Sequence, residues 1–124
     1  VLCSPGREEY TRISFYKERG FSDRVFEKNR RQSLLTVDSS YSSTASDVIS
    51  RAPETAPLFL DEGELLELHV FIDRRVVEVF ANGRQCISVR VYPDRADSVG
   101  VSMRSQGCDA HLTSLDAWEM QSIW

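Results

Sequence analysis

The hydrophobic and polar positions of this chain form a pattern that predicts β-strands throughout. Short runs rich in Val, Ile, Leu, Thr and aromatic residues are separated by Gly, Pro, Asp, Asn and Ser. No stretch of about 11 residues keeps the spacing of an amphipathic helix. We expect strands near Tyr10–Tyr16, Val25–Lys28, Leu34–Val37, Leu65–Ile72, Val76–Ala81, Cys86–Val91, Ser98–Met103 and Ala110–Met120.

Many short strands joined by turns, without intervening helices, are typical of a sandwich or a barrel. We interpret the fold as all-β: a two-sheet antiparallel β-sandwich, jelly-roll-like, with little or no helix. The stretch Ser39–Pro57 is rich in Ser, Thr and Ala and holds two prolines. It is expected to be a long connection, with at most a helical turn at Ala45–Ile49.

The segment Glu64–Pro93 predicts an antiparallel meander of three strands with one core face. A hairpin tip at Asp73-Arg74 would place His69 opposite Glu78. A slip by one residue would move Glu78 onto the apolar face, so the alternation favours this assignment of faces. The interior is expected to include Leu68, Val70, Ile72, Val77, Val79 and Val89.

The second turn of this meander is expected at Asn82-Gly83, with Gly83 at positive φ. A two-residue type I′ loop would turn polar residues of the third strand onto the apolar face. Pairing Ala81 with Gln85 instead turns apolar residues onto that face. We favour the second register, which buries Ile87, Val89 and Val91.

A length of 124 residues suits a single domain, residues 1–124, with enough apolar material (41%) for one core. Because the first residue is Val1 rather than Met, we expect a processed or excised piece of a larger protein.

The net charge of −4 argues against a nucleic-acid partner. No apolar run approaches the ~20 residues of a membrane span, and the compartment stays undetermined.

Cysteine and histidine usage gives no sign of a metal centre or a disulfide framework. The three cysteines, Cys3, Cys86 and Cys108, have no close paired spacing. We expect buried free thiols, and one bridge plus a spare thiol remains open. The two histidines, His69 and His111, belong to no clustered ligand set.

Candidate catalytic groups are equally sparse. A His69–Glu78 pair could act as an acid and base. We favour a cross-strand contact of about 0.2–1 kcal/mol, because a flat sheet face offers no pocket. The carboxylates are not forced into a shared site, and no nucleophile elbow, phosphate loop or dinucleotide fingerprint occurs. We therefore expect no catalytic residue, no metal site and no cofactor in this chain.

Both faces of the meander carry bulky apolar residues, so we expect its second face to be partly covered. A neighbouring domain is a natural cover, and a symmetric second copy is another. A sugar-stacking platform is the alternative use of the aromatic residues. The candidate interface consists of Phe71, Val76, Phe80, Tyr92, His69 and Glu78.

A long segment over Leu66–Gly83 reads LELHVFIDRRVVEVFANG and is followed by Arg90-Val91-Tyr92-Pro93. It resembles the C-terminal β-sandwich domain of glycoside hydrolase family 32, the β-fructofuranosidases that include invertases, levanases and inulinases. The resemblance covers essentially the whole chain. It continues at Glu9–Ile13 (the family's E-x-T-R-I), at Val37-Asp38 with Ser42-Ser43 (V-D-R-x-x-S-S), and at Leu115–Met120.

The resemblance implies a non-catalytic accessory domain of an enzyme that hydrolyses sucrose or fructans. In that family the catalytic acids lie on an N-terminal β-propeller, in motifs similar to W-M-N-D-P-N-G, R-D-P and E-C, and none occurs here. The implied partner is this propeller, which the sandwich would stabilise and shield. A fructan-binding, lectin-like module is the alternative. Two departures, Ser39 where Arg is common and Arg75 where Ser is common, touch no chemistry.

Overall fold

A computed structural model describes residues 1–19 and 31–121, which form two antiparallel sheets packed face to face. This confirms the predicted all-β sandwich. The larger sheet has the order β4-β3-β2-β1-β8 and the smaller the order β5-β6-β7. The described residues contain no helix long and apolar enough to span a bilayer. The strands are β1 (Leu2–Cys3), β2 (Tyr10–Tyr16), β3 (Arg31–Tyr41), β4 (Glu54–Leu60), β5 (Leu68–Asp73), β6 (Val76–Ala81), β7 (Gln85–Arg90) and β8 (Gly100–Val101).

The strand β4 corrects the prediction of one long connection over Ser39–Pro57. β3 continues to Tyr41 and β4 begins at Glu54, so the connection is shorter at both ends. Pro57 has no N–H to donate, but β4 is an edge strand. On the open side of an edge strand an N–H has no ladder partner, so proline is tolerated there. The expected helical turn reduces to a bond from the Val48 N–H to the Ala45 carbonyl, 3.3 Å long.

The core lies between the inner faces of the two sheets. Val77, Val79 and Val89 are buried, as predicted. Burial of each such side chain contributes roughly 1.5–3 kcal/mol relative to exposure. The whole buried cluster comprises Leu35, Val37 and Leu58 from the larger sheet, with Val77, Val79, Ala81, Ile87, Val89 and Val91 from or beside the smaller one.

The predicted burial of Leu68, Val70 and Ile72 is wrong. Their parity is as expected, because they pair with Ala81, Val79 and Val77. They are nevertheless 38%, 39% and 51% exposed. The larger sheet packs mainly over β7, through β3 and β4, so β5 at the far end of the smaller sheet lies beyond its cover.

The first hairpin of the meander turns one residue later than predicted. Asp73 pairs with Val76, and the tip is Arg74-Arg75, with Arg74 at φ 51°. The predicted pairing of His69 with Glu78 is therefore wrong. The alternation of apolar residues assigns faces, and two registers that differ by two residues satisfy it equally.

The second turn of the meander follows the prediction. Ala81 pairs with Gln85, and the loop has Asn82 at φ 50° and Gly83 at φ 60°. The Arg84 N–H donates to the Ala81 carbonyl at 3.0 Å and closes the turn. This register buries Ile87, Val89 and Val91.

The predicted C-terminal strand Ala110–Met120 is wrong for the structure described here. Only Gly100–Val101 of the expected Ser98–Met103 strand forms a ladder, with β1. Residues 103–121 run on without strand pairing and are exposed, Trp118 to 80%. A strand needs a partner as well as a pattern. The predicted strand Val25–Lys28 lies outside the described residues.

Candidate functional site

A buried carboxylate, Glu9, joins three separate parts of the chain and is only 1% exposed. Its Oε1 accepts hydrogen bonds from the Thr44 N–H (2.9 Å), the Thr44 hydroxyl (3.1 Å) and the Asp94 N–H (2.9 Å). Its Oε2 accepts from the Arg95 N–H (3.1 Å) and the Ser98 hydroxyl (2.6 Å). We call these five residues the Glu9 cluster, and its bonds fasten the start of β2 to the loops after β3 and β7.

The hydrogen bonds of the Glu9 cluster also control the ionisation of Glu9. Burial alone would raise the pKa of this carboxyl. The bonds from Ser98 and from the backbone of Asp94, Thr44 and Arg95 outweigh burial and lower the pKa from 4.5 to about 2. Glu9 is therefore an anion at neutral pH, with both oxygens engaged.

Sequence reasoning missed the structural role of Glu9, although the resemblance included it in the E-x-T-R-I segment. One signal was present. Glu9 has the same parity along the chain as Ile13 and Phe15, which pack against the core. A carboxylate in an inward-facing position requires buried donors.

An ion pair lies across β2 and β3. Arg12 Nη2 donates to Asp38 Oδ2 at 2.9 Å, and Asp38 is 6% exposed. Burial would raise the pKa of Asp38, but hydrogen bonds from the Ser40 hydroxyl and N–H, with the Arg12 charge, hold it below its usual value. Arg12 Nε is buried and makes no hydrogen bond within the described residues. Arg12 lies in the Glu9–Ile13 segment of the resemblance, and Asp38 lies in its Val37-Asp38 segment.

A third polar cluster, Glu64, Asn82 and Arg84, fastens the meander to β4. Arg84 bonds both oxygens of Glu64, at 2.9 Å and 2.7 Å, and donates to the Phe59 carbonyl at 3.0 Å. Asn82 Nδ2 donates to Glu64 Oε1 at 3.1 Å. The Arg84 guanidinium, the Asp61 N–H and Asn82 lower the pKa of Glu64 to about 2. The second hairpin turn of the smaller sheet is thereby bonded to β4 of the larger sheet.

The residues of the candidate interface lie on the outer face of the meander or at its margin. Phe71 and Phe80 form an edge-to-face ring pair with centroids 5.8 Å apart, and they are 42% and 37% exposed. His69 stands opposite Phe80, and Glu78 opposite Phe71. Val76 and Glu78 are half-buried.

His69 and Tyr92 have partners that the sequence did not reveal. His69 Nε2 lies 2.8 Å from Glu67 Oε1 rather than beside Glu78. Tyr92 lies under the Arg75 guanidinium, 5.5 Å from ring centre to Cζ, which is a cation–π distance. Tyr92 therefore lies near the hairpin tip.

The cysteines are all free thiols. Cys3 is buried in β1, as predicted for all three. Cys86 and Cys108 are exposed, which corrects that prediction. Cys86 lies on the outer face of β7 because it pairs with Phe80. Within the described residues, no three His, Cys, Asp or Glu side chains come together as a metal-binding group.

Comparison with known proteins finds relatives that match this chain over nearly its full length. The chain is 34% identical over its full length to an acid beta-fructofuranosidase of Vicia faba. It is 35% identical over 98% of its length to an insoluble beta-fructofuranosidase isoenzyme of Daucus carota. It is 34% identical over 98% of its length to a fructan 6-exohydrolase of Beta vulgaris.

The alignments span only part of those relatives, about 19–20% of their own length. The sequence profile described as "Glycosyl hydrolases family 32 C terminal" matches residues 1–119. This agrees with the resemblance drawn from the Leu66–Gly83 segment. The chain therefore belongs to the family of C-terminal domains of family 32 glycosyl hydrolases.

Proposed function

We propose that this chain is the non-catalytic accessory domain of a hydrolase that acts on sucrose or fructans at β-fructofuranosyl linkages. The observation that carries the proposal is the extent of the alignments. The chain matches from end to end, yet it spans about a fifth of relatives named for fructofuranosidase or fructan hydrolase activity. A domain of this size beside a much longer remainder suits a supporting role.

The chemistry of the buried carboxylates supports this role. A general acid needs a pKa near the working pH, and a nucleophile needs a free lone pair. Glu9 has a pKa of about 2, and its two oxygens accept five hydrogen bonds from its own chain. Asp38 is likewise held by Arg12 and Ser40. These carboxylates therefore suit fastening of loops rather than catalysis.

The simplest test is turnover by the purified chain. We expect no release of fructose from sucrose, inulin or levan, while a parent enzyme containing both domains is active. Saturable turnover that survives repeated purification would overturn the accessory role.

We further propose that the catalytic domain of the parent rests on the outer face of the meander, around Phe71 and Phe80. Two exposed aromatic rings in edge-to-face contact offer a compact apolar anchor. His69 and Glu78 stand opposite these rings, Val76 lies on the same face, and Tyr92 lies near the hairpin tip; together they offer a partly polar rim. An interface of this composition, with aromatic centre and polar margin, is common between protein surfaces.

Substitution in the parent enzyme tests this surface. Phe80→Ser is expected to lower the temperature at which the parent loses activity, because the anchor loses its apolar contact. The isolated chain should lose only about 1–3 kcal/mol, since Phe80 is 37% exposed and its contact within the chain is the edge-to-face pair with Phe71. Ile49→Ser, an exposed residue elsewhere, is the control and should change neither. Equal effects of Phe80→Ser on parent and isolated chain would contradict the proposal.

Two other uses of the aromatic residues stay predictions. A homodimer through the Phe71–Phe80 face would appear as concentration-dependent mass in sedimentation and would vanish in Phe80→Ser. Fructan binding would appear as heat on titration with fructo-oligosaccharides. The accessory role expects neither signal when the parent's catalytic domain is present.

A further inference from the structure

The hydrogen-bond donors of the Glu9 cluster converge on one carboxylate. Three backbone N–H groups and two hydroxyl groups donate to its two oxygens. The N–H groups of Asp94 and Arg95 are consecutive in the chain, and each binds one oxygen of the carboxylate. Successive N–H groups in a turn are a recurrent anion-binding device in proteins. The cluster therefore has the form of an anion-binding site that the Glu9 side chain occupies.

The chemistry of these donors selects a monocarboxylate as the ligand. All of them are neutral groups, and Arg95 contributes only its N–H because its guanidinium is directed to Asp97 at 2.8 Å and 2.7 Å. The bonds lower the pKa of the Glu9 carboxyl despite its burial, so they suffice for a single negative charge. A phosphoryl group carries a charge of about −1.5 to −2 at neutral pH and has a third acceptor oxygen. The site would leave that oxygen without a donor.

The donors are held in place by bonds that do not involve the Glu9 side chain. In the loop after β7, the Ser98 N–H donates to the Arg95 carbonyl at 3.3 Å. In the loop after β3, the Ser42 N–H donates to the Ser39 carbonyl at 3.0 Å. Each loop thus has a turn of its own, and we expect the donors to keep their positions when the Glu9 side chain is shortened.

The backbone at position 9 is also held independently of the side chain. The Ser4 N–H donates to the Glu9 carbonyl at 3.0 Å, and the Glu9 N–H donates to the Ser4 hydroxyl at 3.2 Å. A cavity of about 260 Å³ lies beside this position, and Glu9 and Ser98 are among its lining residues. A shorter side chain would therefore leave a vacant volume that a small anion can reach from the cavity.

We propose that the donors of the Glu9 cluster form a carboxylate-binding site, which takes up a free monocarboxylate when the Glu9 side chain is removed. Glu9→Ala keeps Cβ and removes Cγ and the carboxyl group, and acetate consists of those missing atoms. Glu9→Gly removes Cβ as well, and propionate then supplies what is missing. The ligand that fits best therefore becomes longer by one carbon from the alanine variant to the glycine variant.

Urea unfolding of the 124-residue chain at neutral pH tests the site. A ligand that binds only the folded chain raises the folding equilibrium constant as its concentration rises above its Kd. We expect acetate to raise this constant at least about tenfold in Glu9→Ala, compared with sodium chloride at the same ionic strength. In Glu9→Gly, propionate should have a larger effect than acetate. Acetamide has the shape of acetate without its charge and should have no such effect.

Two controls separate binding at the site from general effects of the salt. In the wild-type chain Glu9 fills the site. Leu35→Ala removes a fully buried apolar side chain and no carboxylate. Acetate should change the folding constant of both controls less than about twofold. An equal response of Glu9→Ala and Leu35→Ala would overturn the proposal, and so would the same preferred ligand in the alanine and glycine variants.

NMR gives an independent readout, including the case in which Glu9→Ala is unfolded without ligand. Acetate should then restore the dispersed amide spectrum of the folded chain, and a spectrum that stays collapsed would contradict the site. In the folded variant, we expect the methyl group of isotope-labelled acetate to show contacts to Thr44 and Ser98. Contacts to other residues alone would overturn the proposal. None of these results bears on the accessory role, which depends on the parent's activity.

Discussion

Replacing Glu9 with glutamine keeps the size of the side chain and removes its charge. If the amide oxygen takes the Oε1 position, it keeps the bonds from Thr44 and Asp94. The amide NH2 then takes the Oε2 position, so the Arg95 N–H loses its acceptor. The Ser98 hydroxyl, which donates to Oε2 in the wild type, must rotate to accept a hydrogen bond from this NH2. Hydrogen bonds to a charged group contribute about 1.5–3 kcal/mol each, and a buried donor without a partner is costly. We expect Glu9→Gln to lower the free energy of unfolding by about 3 kcal/mol near neutral pH.

The pH dependence gives a second and independent estimate of this effect. The carboxyl has a pKa of about 2 when folded against 4.5 in its ordinary state, a difference worth about 3 kcal/mol. Because the folded pKa is depressed, this stabilisation is complete above about pH 5 and is lost as the pH falls towards 2. About 2 kcal/mol of it should be gone by about pH 3. Glutamine does not titrate, so the gap between wild type and variant should narrow over this range.

Urea unfolding at several pH values measures both quantities. Glu62→Gln is the matched control, because Glu62 is exposed, and the same charge is removed there. The control should differ from wild type by less than about 0.5 kcal/mol. The reasoning is refuted if Glu9→Gln matches the control at neutral pH, or if its deficit stays constant down to about pH 3.

Three further predictions concern the core, a turn and the seam between the sheets. Leu35→Ala should lower the free energy of unfolding by about 2–5 kcal/mol in urea titrations, because Leu35 is fully buried, whereas Ile49→Ala should have almost no effect. Gly83→Ala should cost about 1 kcal/mol in the same assay, since its φ is +60° but an added Cβ meets nothing within 4 Å. Arg84→Ala should raise the pKa of Glu64 from about 2 towards its ordinary value, as followed by carboxyl NMR titration; an unchanged pKa would exclude Arg84 as its main cause.

The alternation of side chains was enough to predict the faces of the meander, because one buried face admits only one parity. Ile87, Val89 and Val91 were assigned to the core from this rule alone, and they are buried. The pairing of His69 was not predictable in the same way. A shift by two residues leaves every side chain on its own face, so only the turn at Arg74-Arg75 decides which residues stand opposite.

The exposure of side chains on β5 and the hydrogen-bond donors around Glu9 could not be predicted from the sequence, for a different reason. The exposure of Val70 depends on how far the opposite sheet extends, which local pattern does not encode. The donors that surround Glu9 come from residues 44 and 94–98, which are remote in sequence. The resemblance named the segment that contains Glu9, yet only the assembled fold reveals what the carboxylate binds.

The position of β1 between β2 and β8 has a consequence for the order of folding events. Leu2 pairs with the nearby Thr11 and also with Val101, about 100 residues later. Closing so long a loop is entropically unfavourable and slow, whereas each strand of the meander pairs with its immediate neighbour in sequence. On a ribosome, the meander could therefore form while β8 is still being synthesised. The larger sheet would receive its last strand only after Val101 has emerged, and until then the edge of β1 would be open to pairing with other chains.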